Sequence, residues 1–135
     1  MCNSLDTQTL NTNAEEKWFL LQSEIKKCFK CRLHTQGIFP IFGDGPITSK
    51  IVFIGEAPGF RENQLKKPFV GRSGQILNDF ISKIGLSRND VFISNIVKCR
   101  PPDNRDPLPD EIASCAPYLS LQMKLLPVKI VVKVK

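Results

Sequence analysis

The sequence lacks the features of membrane and secreted proteins. No apolar run approaches the roughly 20 residues that a membrane-spanning helix requires. The first residues, MCNSLDTQTLNTN, are polar and have no apolar core, so they do not form a secretory signal. The chain also has no internal repeat and no low-complexity tract. These absences predict a cytoplasmic protein with no membrane association, whose thiols stay reduced.

Acidic residues are in deficit, and the chain is long enough for one domain. Its 135 residues include 19 Lys and Arg against 13 Asp and Glu, a net charge of +6, which favours an anionic partner. The apolar fraction of 41% is normal for a globular protein and argues against disorder. We therefore expect one domain with one core over residues 13–135, after a disordered segment at 1–12.

The spacing of apolar residues predicts three helices and three strands. A first helix from about Ala14 to Lys27, with a capping box at Thr12 and Glu15, places one face of Trp18, Leu21, Ile25 and Cys28 toward the core. The later elements are a strand at Ile51–Ile54, a helix at Gly71–Ile84, a strand at Val91–Val97, a helix at Pro109–Leu126 and a strand at Lys129–Val134. The expected inner stripes of the later helices are Ile76, Leu77, Phe80, Ile81 and Ile84, then Ile112, Cys115, Leu119, Met123 and Leu126. Residues 32–50 are interpreted as a loop because they contain several Gly and Pro, and residues 100–108 because they are rich in Pro.

The order of these elements predicts the fold class. A helix followed by β-α-β-α-β implies parallel strands, because helical crossovers connect parallel neighbours. Helices then cover both faces of the sheet, which gives a three-layer α/β/α fold with a central parallel sheet. A strand in such a fold normally leads into a further loop, whereas here the chain stops at residues 133–135. We therefore expect a partial domain, incomplete at its C-terminus.

Four of the five cysteines are placed where they can share a metal. Cys28 and Cys31 form a C-x-x-C at the end of the first helix, whereas Cys99 follows the second strand and Cys115 lies in the third helix. If these elements meet at one edge, four thiolates converge and suit tetrahedral zinc or an iron–sulfur cluster. The spacing leaves both metals open, and four buried, unligated cysteines are the third interpretation. Cys2 has no expected role.

The segment from Ile51 to Gln75, IVFIGEAPGFRENQLKKPFVGRSGQ, predicts a binding site. A buried strand breaks into a loop rich in Gly and Pro, which passes a carboxylate, a basic pair and an aromatic before a helix starts. In open α/β sheets, ligands bind where strands end and such loops begin. We therefore expect the ligand to enter at this edge of the sheet.

Three motifs together resemble one family. They are GEAPG at 55–59, PFVGRSG at 68–74 and NIVKCRPPDNRDPLPDE at 95–111. With the C-x-x-C upstream and Cys115 downstream, the chain is similar to type 4 uracil-DNA glycosylases, the iron–sulfur branch of the uracil-DNA glycosylase superfamily. The resemblance covers about Ala14 to Val132 and implies hydrolysis of the N-glycosidic bond of uracil flipped out of DNA, which starts base-excision repair. It also implies a structural [4Fe–4S] cluster on Cys28, Cys31, Cys99 and Cys115.

The resemblance assigns recognition of the base to five residues. Phe69 is similar to the aromatic that stacks on the extruded uracil, and the segment Gly55, Glu56 and Ala57 to the loop that lines the pocket with backbone groups. Asn95 ends the second strand, and its fixed amide presents a donor and an acceptor. Uracil presents an acceptor at O4 beside a donor at N3, and cytosine presents the reverse. One amide can therefore distinguish the two bases.

Two carboxylates of the same loop are candidates for catalysis. Glu62 matches the acidic position of the family three residues after Gly59, where it can place or activate the hydrolytic water. The family often has Asp next, and here the residue is Asn63. A carboxylate can also stabilise the oxocarbenium-like sugar, and Glu56 is the other carboxylate available. A solvated loop residue is the alternative interpretation of Glu62.

Basic residues lie in the loops at this edge. They can hold DNA phosphates without reading sequence, or can be plain surface charges. The residues are Lys66, Lys67, Arg72, Arg100 and Arg105.

One motif of the family is absent from these 135 residues. The family has a His-Pro-Ser on a later loop, whose histidine contacts uracil O2, whereas the only histidine here, His34, follows the C-x-x-C. Losing one donor at a developing anion costs about 10²–10³ in rate. We therefore expect weak or no activity on uracil-containing DNA. We also expect the protein to be a monomer. The alternative is a non-catalytic iron–sulfur DNA-binding remnant, while the scattered cysteines disfavour an electron-transfer protein.

Overall fold

A three-stranded parallel sheet forms the centre of the computed structural model, which describes residues 3–35 and 37–134. The strands are β1 (Ile51–Gly55), β2 (Phe92–Asn95) and β3 (Ile130–Lys133), in the spatial order β2-β1-β3. The helices are α1 (Asn3–Lys26), α2 (Phe60–Leu65), α3 (Arg72–Lys83) and α4 (Pro109–Leu125), with short 3-10 turns at Arg88–Asp90 and Pro102–Asn104. Among the described residues, no helix is both long and apolar enough to cross a membrane.

Helices cover both faces of the sheet because successive strand residues point to opposite sides. Val52 of β1 is fully buried in a core shared with Ile25 of α1 and Tyr118 of α4. Its neighbour Phe53 is equally buried, but in a second core with Leu77 of α3. The three-layer α/β/α fold with a parallel central sheet is therefore confirmed, and each strand lies within one or two residues of its predicted bounds.

The first helix is longer than the sequence predicted. It begins at Asn3, so the predicted start near Ala14 and the capping box at Thr12 are wrong. No glycine or proline lies between Asn3 and Lys26, so nothing in the backbone stops the helix. Residues 3–12 are therefore helical where disorder was predicted, and the first two residues lie outside the described part of the chain. The domain boundary at residue 13 stays a prediction.

The predicted inner face of α1 is confirmed. Leu21 and Ile25 are buried in the core, with 5% and 0% of their surface exposed. Trp18 packs edge-on against Phe42 and Phe92, with ring centroids 4.7 and 5.1 Å apart. This packed face fixes the end of the helix, directly before the C-x-x-C.

A short helix in the loop after β1 was not predicted. α2 has six residues and starts after Gly59, and the residue that follows it, Lys66, has a left-handed φ of 57°. None of its residues is buried. It therefore has no apolar stripe, and the hydrophobic periodicity on which the prediction rested gives no signal here.

Three of the five predicted core positions of α3 are wrong. Leu77 and Ile81 are buried, whereas Ile76, Phe80 and Ile84 are 66%, 48% and 48% exposed. Residues four apart lie on one line of a helix, so Leu77 and Ile81 form the narrow stripe that contacts the sheet. Ile76 and Phe80 are rotated away from that stripe and border a groove beside β3.

The inner face of α4 carries polar residues that the sequence did not predict. Cys115 is buried as expected, and Ile112, Leu119 and Met123 pack at the margin of the core. Glu111 and Gln122, however, are completely buried. Buried polar groups need partners: Glu111 accepts from Arg105, and Gln122 accepts from Lys98 and donates to the Phe42 carbonyl.

Candidate functional site

The carboxyl ends of β1 and β2 open into a cleft of about 410 Å³. The chain runs from β1 to its neighbour β2 and then crosses over β1 to reach β3 on the other side. The strand order therefore reverses at β1, and such a switch point is where ligands bind in open α/β sheets. All three motif segments contribute to the walls. The predicted site residues that line the cleft are Glu56, Ala57, Glu62, Phe69, Arg72 and Asn95.

Gly55 does not itself line this cleft, but it lies against Phe69 and Asn95, which do. The parallel register places Gly55 directly beside Asn95. A Cβ added at Gly55 would overlap the Phe69 ring and lie 2.6 Å from the Asn95 side-chain oxygen. Only glycine therefore leaves room for the aromatic ring and the amide to approach the same point.

The side-chain oxygen of Asn95 is an acceptor without a donor. Asn95 is only 3% exposed, and its Oδ1 has no hydrogen-bond partner among the described residues. Buried polar atoms are nearly always paired, and leaving one unpaired costs about 1–3 kcal/mol. Because Asn95 lines the cleft, its unpaired Oδ1 is the candidate acceptor for an N–H group of a ligand.

Glu62 is held by three backbone amides. Its Oε1 accepts from Gly59 N at 2.9 Å, and its Oε2 accepts from Val70 N and Gly71 N at 2.9 and 2.8 Å. Burial alone would raise the pKa of the Glu62 carboxyl, but these amide donors outweigh burial and lower the pKa. The ionised carboxylate thus joins the start of α2 to the loop before α3.

The segment Gly55 to Ala57 is fixed to the end of β2. The carbonyl oxygens of Gly55 and Glu56 accept from the amides of Ile96 and Val97 at 2.9 and 3.1 Å. The Glu56 side chain is exposed at the cleft. Two loops that carry different motifs therefore form one rigid rim, with a free carboxylate on it.

Two of the five basic loop residues named as possible phosphate contacts line the cleft. Arg72 and Arg105 do, whereas Lys66, Lys67 and Arg100 do not. Arg61, which the sequence did not single out, also lines it. Arg61 reaches the cleft because it lies in α2, a helix that the hydrophobic pattern of the sequence did not predict.

Two of the loop arginines have partners within the protein. Arg105 donates both terminal nitrogens to the Glu111 carboxylate, at 2.8 Å each. Arg100 donates to Asn104 Oδ1 at 2.6 Å and lies 5.4 Å from the ring of Phe60, an exposed aromatic of the cleft wall. The first pair is structural, and the second places a cation and an aromatic beside the cleft.

The four cysteines of the predicted metal site converge on a second, small pocket. Cys28, Cys31, Cys99 and Cys115 all line it, and the last two are buried. Burial and then the neighbouring cysteines raise the pKa of the Cys99 thiol to about 12, and burial raises the pKa of the Cys115 thiol. The donor set fits a four-thiolate centre, because a cation would relieve this repulsion. Within 3–35 and 37–134, however, no group of three or more ligating side chains has the geometry of a metal site.

Lys98 is a buried cation that the sequence analysis missed. Only 1% of it is exposed, and its Nζ donates to Ser94 Oγ at 2.7 Å and to the Asn95 carbonyl and Gln122 Oε1 at 2.8 Å. Burial lowers the pKa of the Lys98 ammonium to about 7, although Cys115 opposes this. The network ties the end of β2 to α4. The one indication in the sequence that this lysine is buried is its position among apolar residues in the segment NIVKC at 95–99.

The fold and the cleft define an α/β protein with a candidate ligand site at the carboxyl ends of parallel strands. Residues 42–134 match the model of the uracil DNA glycosylase superfamily. The chain therefore belongs to this superfamily.

Similar proteins include two type-4 uracil-DNA glycosylases. The protein from Saccharolobus solfataricus is 51% identical over 106 residues, 78% of this chain and 49% of that protein. The protein from Thermotoga maritima is 41% identical over 112 residues, 83% of this chain and 58% of that protein. A type-5 uracil-DNA glycosylase from Thermus thermophilus is 31% identical and covers 65% of this chain. The resemblance to type 4 is confirmed, and the chain spans about half the length of the curated relatives it matches.

Proposed function

We propose that the protein removes uracil from DNA by hydrolysing the N-glycosidic bond. The names of the type-4 relatives support the reaction class. The observation that carries the proposal is the unpaired Oδ1 of Asn95, buried at the cleft floor beside Phe69. A flipped base would bring the missing donor to this atom, with its face on the aromatic ring.

The Asn95 amide selects uracil by its hydrogen-bond pattern. With Oδ1 free to accept from N3–H, Nδ2 is left to donate to O4. Cytosine presents an acceptor at N3 and a donor at its exocyclic amine, so both contacts become repulsive. A site built to pair with a substrate N–H rejects analogues that lack it by large factors, because its buried groups are left unpaired.

The carboxylates of the cleft act on the sugar and the water. As the bond breaks, its electron pair leaves with uracil; water then adds its oxygen to the sugar carbon, and the proton it releases neutralises the uracil anion. A carboxylate has about four acceptor sites, and amides occupy three of those on Glu62. The fourth, on Oε1, can orient a water, while the exposed Glu56 can face the developing positive charge of the sugar.

Cys28, Cys31, Cys99 and Cys115 would hold the [4Fe–4S] cluster. The cluster supplies a structural cross-link between the end of α1, the loop after β2 and α4. Protein purified without oxygen should contain about four iron and four sulfide per chain. Cys99→Ser should abolish this content, whereas Cys2→Ser, at a position with no assigned role, should keep it. Zinc in place of iron would contradict the cluster.

The proposed activity is tested with a uracil-containing oligonucleotide. The purified 135-residue chain should release uracil and leave abasic sites, at a rate lowered about 10²–10³-fold by the missing histidine donor, and Asn95→Ala should abolish the release. Asn89→Ala, an exposed asparagine in the turn before β2, is the matched control and should retain it. Equal loss in both variants would show that Asn95 does not read the base.

A second candidate is DNA binding without cleavage, the non-catalytic remnant. It is favoured by the position of His34, which is exposed and packs against Phe29 after the C-x-x-C, so that no histidine of the described chain lines the cleft. In that case uracil-containing DNA binds in a salt-sensitive manner but no uracil appears. DNA is the partner in both cases, and a monomeric state and a cytoplasmic location stay predictions.

A further inference from the structure

The backbone of Phe69 has an unusual conformation. Its φ of 51° is left-handed, a region that bulky residues with a Cβ rarely adopt. Such strain persists only where the surrounding structure holds the residue in place, and it concentrates at ligand sites. Because the Phe69 ring forms the floor of the cleft, whatever holds its backbone also sets the position of the ring.

The Arg88 side chain binds the backbone of Pro68 and Phe69. One terminal nitrogen, Nη1, donates to the Phe69 carbonyl at 3.0 Å, and the other, Nη2, donates to the Pro68 carbonyl at 2.9 Å. The guanidinium is itself fixed by Asn78 Oδ1 at 3.0 Å and by the Asp44 carboxylate at 3.5 Å. A planar fork of donors is suited to gripping two successive carbonyls at once, which a lysine ammonium does less well.

Glu62 holds the same loop from the other end. The two amides that follow Phe69, those of Val70 and Gly71, donate to its carboxylate. A cation on two carbonyls and an anion on the next two amides therefore grip four consecutive residues. The left-handed residue lies in the middle of this grip, where neither neighbour can rotate independently.

We propose that Arg88 is a positioning residue, which holds Phe69 in its left-handed conformation and so preorganises the surface on which the base stacks. The stacking part rests on the proposed function, whereas the backbone part stands on the hydrogen bonds alone. Arg88 does not line the cleft, so any effect of its removal on the ligand must pass through the loop.

Hydrogen exchange tests the backbone part without any ligand. In Arg88→Met, amide exchange in the segment 68–74 should accelerate by at least about tenfold, while exchange in β1 stays protected. Lys83→Met, which removes an exposed cation at the end of α3, is the control and should change neither. Unchanged exchange at 68–74 would overturn the proposal whether or not the protein binds uracil. If Arg88→Met fails to fold, Arg88→Lys decides, with a smaller acceleration expected.

A double-mutant cycle tests the stacking part. Loss of stacking on an aromatic weakens binding by roughly 5- to 150-fold, so Phe69→Ala should reduce the affinity for a uracil-containing single strand by that range. Arg88→Met should cost about tenfold alone but less than twofold in the Phe69→Ala background, because the residue it positions is gone. Additive losses would overturn the positioning role. If the wild type shows no preference for uracil, the proposed function fails, and the exchange result still decides on Arg88.

Discussion

The cleft depends on the absence of a single side chain at Gly55. A methyl group there would meet the Phe69 ring and the Asn95 oxygen, neither of which can yield without leaving the floor of the cleft. Gly55→Ala should therefore reduce affinity for uracil-containing DNA at least about tenfold, a loss of about 1.4 kcal/mol. The affinity is measured by titration of a labelled oligonucleotide.

The control for this substitution is Gly85→Ala. Gly85 has a φ of +83° at the end of α3, and an added Cβ there meets no atom within 4 Å. The change should cost about 1 kcal/mol of stability through backbone strain and leave DNA affinity intact. If Gly55→Ala lowers the denaturation midpoint as much as Gly85→Ala and leaves affinity unchanged, the close approach at the floor is not functional.

The role of a single residue could be predicted where a family motif assigns it. It could not be predicted where the role depends only on which groups the fold brings together. Phe69 and Asn95 belong to motifs with a chemical reason for each residue type, and the structure brings them together. Arg88 and Lys98 were missed because their partners are mostly backbone carbonyls or side chains distant in sequence. No pattern of residue types records which carbonyl a long side chain will reach.

Secondary-structure elements could likewise be predicted where the sequence marks them, and not elsewhere. Strands and helices with an apolar face were predicted within a residue or two of their bounds, because periodicity reports burial, except that α1 starts at Asn3 and not near Ala14. α2 has no buried residue and gave no signal. On α4 the pattern favoured apolar positions, whereas Glu111 and Gln122 occupy the interior because an arginine and a lysine pair with them there.

The start of α4 should be sensitive to acid. Glu111 is buried, and hydrogen bonds from Arg105 and then the Leu108 amide lower the pKa of its carboxyl from 4.5 to about 2 against the effect of burial. Because the folded pKa is depressed, ionised Glu111 stabilises the fold above pH 4.5, and this contribution is lost as pH falls toward 2.

Urea unfolding of Glu111→Gln as a function of pH measures this effect. Near neutral pH the variant should be less stable than the wild type, because the neutral amide of Gln cannot accept both charge-assisted hydrogen bonds from the partly exposed Arg105 guanidinium. The difference from the wild type should shrink steadily below pH 4.5. A difference that stays constant down to pH 2 would mean that Glu111 is not ionised in the folded protein.

The link between β2 and α4 should depend on the Lys98 ammonium. Lys98→Met leaves the acceptors on Ser94, Asn95 and Gln122 without their donor, at about 1–3 kcal/mol for each unsatisfied group. We expect a loss of at least about 2 kcal/mol in urea unfolding. Lys124→Met, at an exposed position of the same helix, should change stability by less than about 0.5 kcal/mol. Equal values for the two variants would contradict the network.

At the scale of the whole molecule, the order of elements was sufficient to predict the fold. β-α-β-α-β admits few arrangements once crossovers must be helical and parallel, and the observed sheet is one of them. The shape of the cleft was less predictable. It depends on the position that α2 gives to Arg61 and on which basic residues form ion pairs within the protein, as Arg105 does with Glu111.

The net charge of +6 makes DNA binding a property of the whole surface, and salt dependence separates its contributors. Each phosphate contact to a single strand adds about 0.7 to the slope of log affinity against log salt. Arg61→Ala and Arg72→Ala, which remove cations that line the cleft, should each reduce the slope by roughly that amount. Lys67→Ala and Arg100→Ala should not, because these residues lie outside the cleft lining and Arg100 is bound to Asn104. The reverse pattern would show that the strand follows the loops chosen from sequence alone and does not run across the cleft mouth.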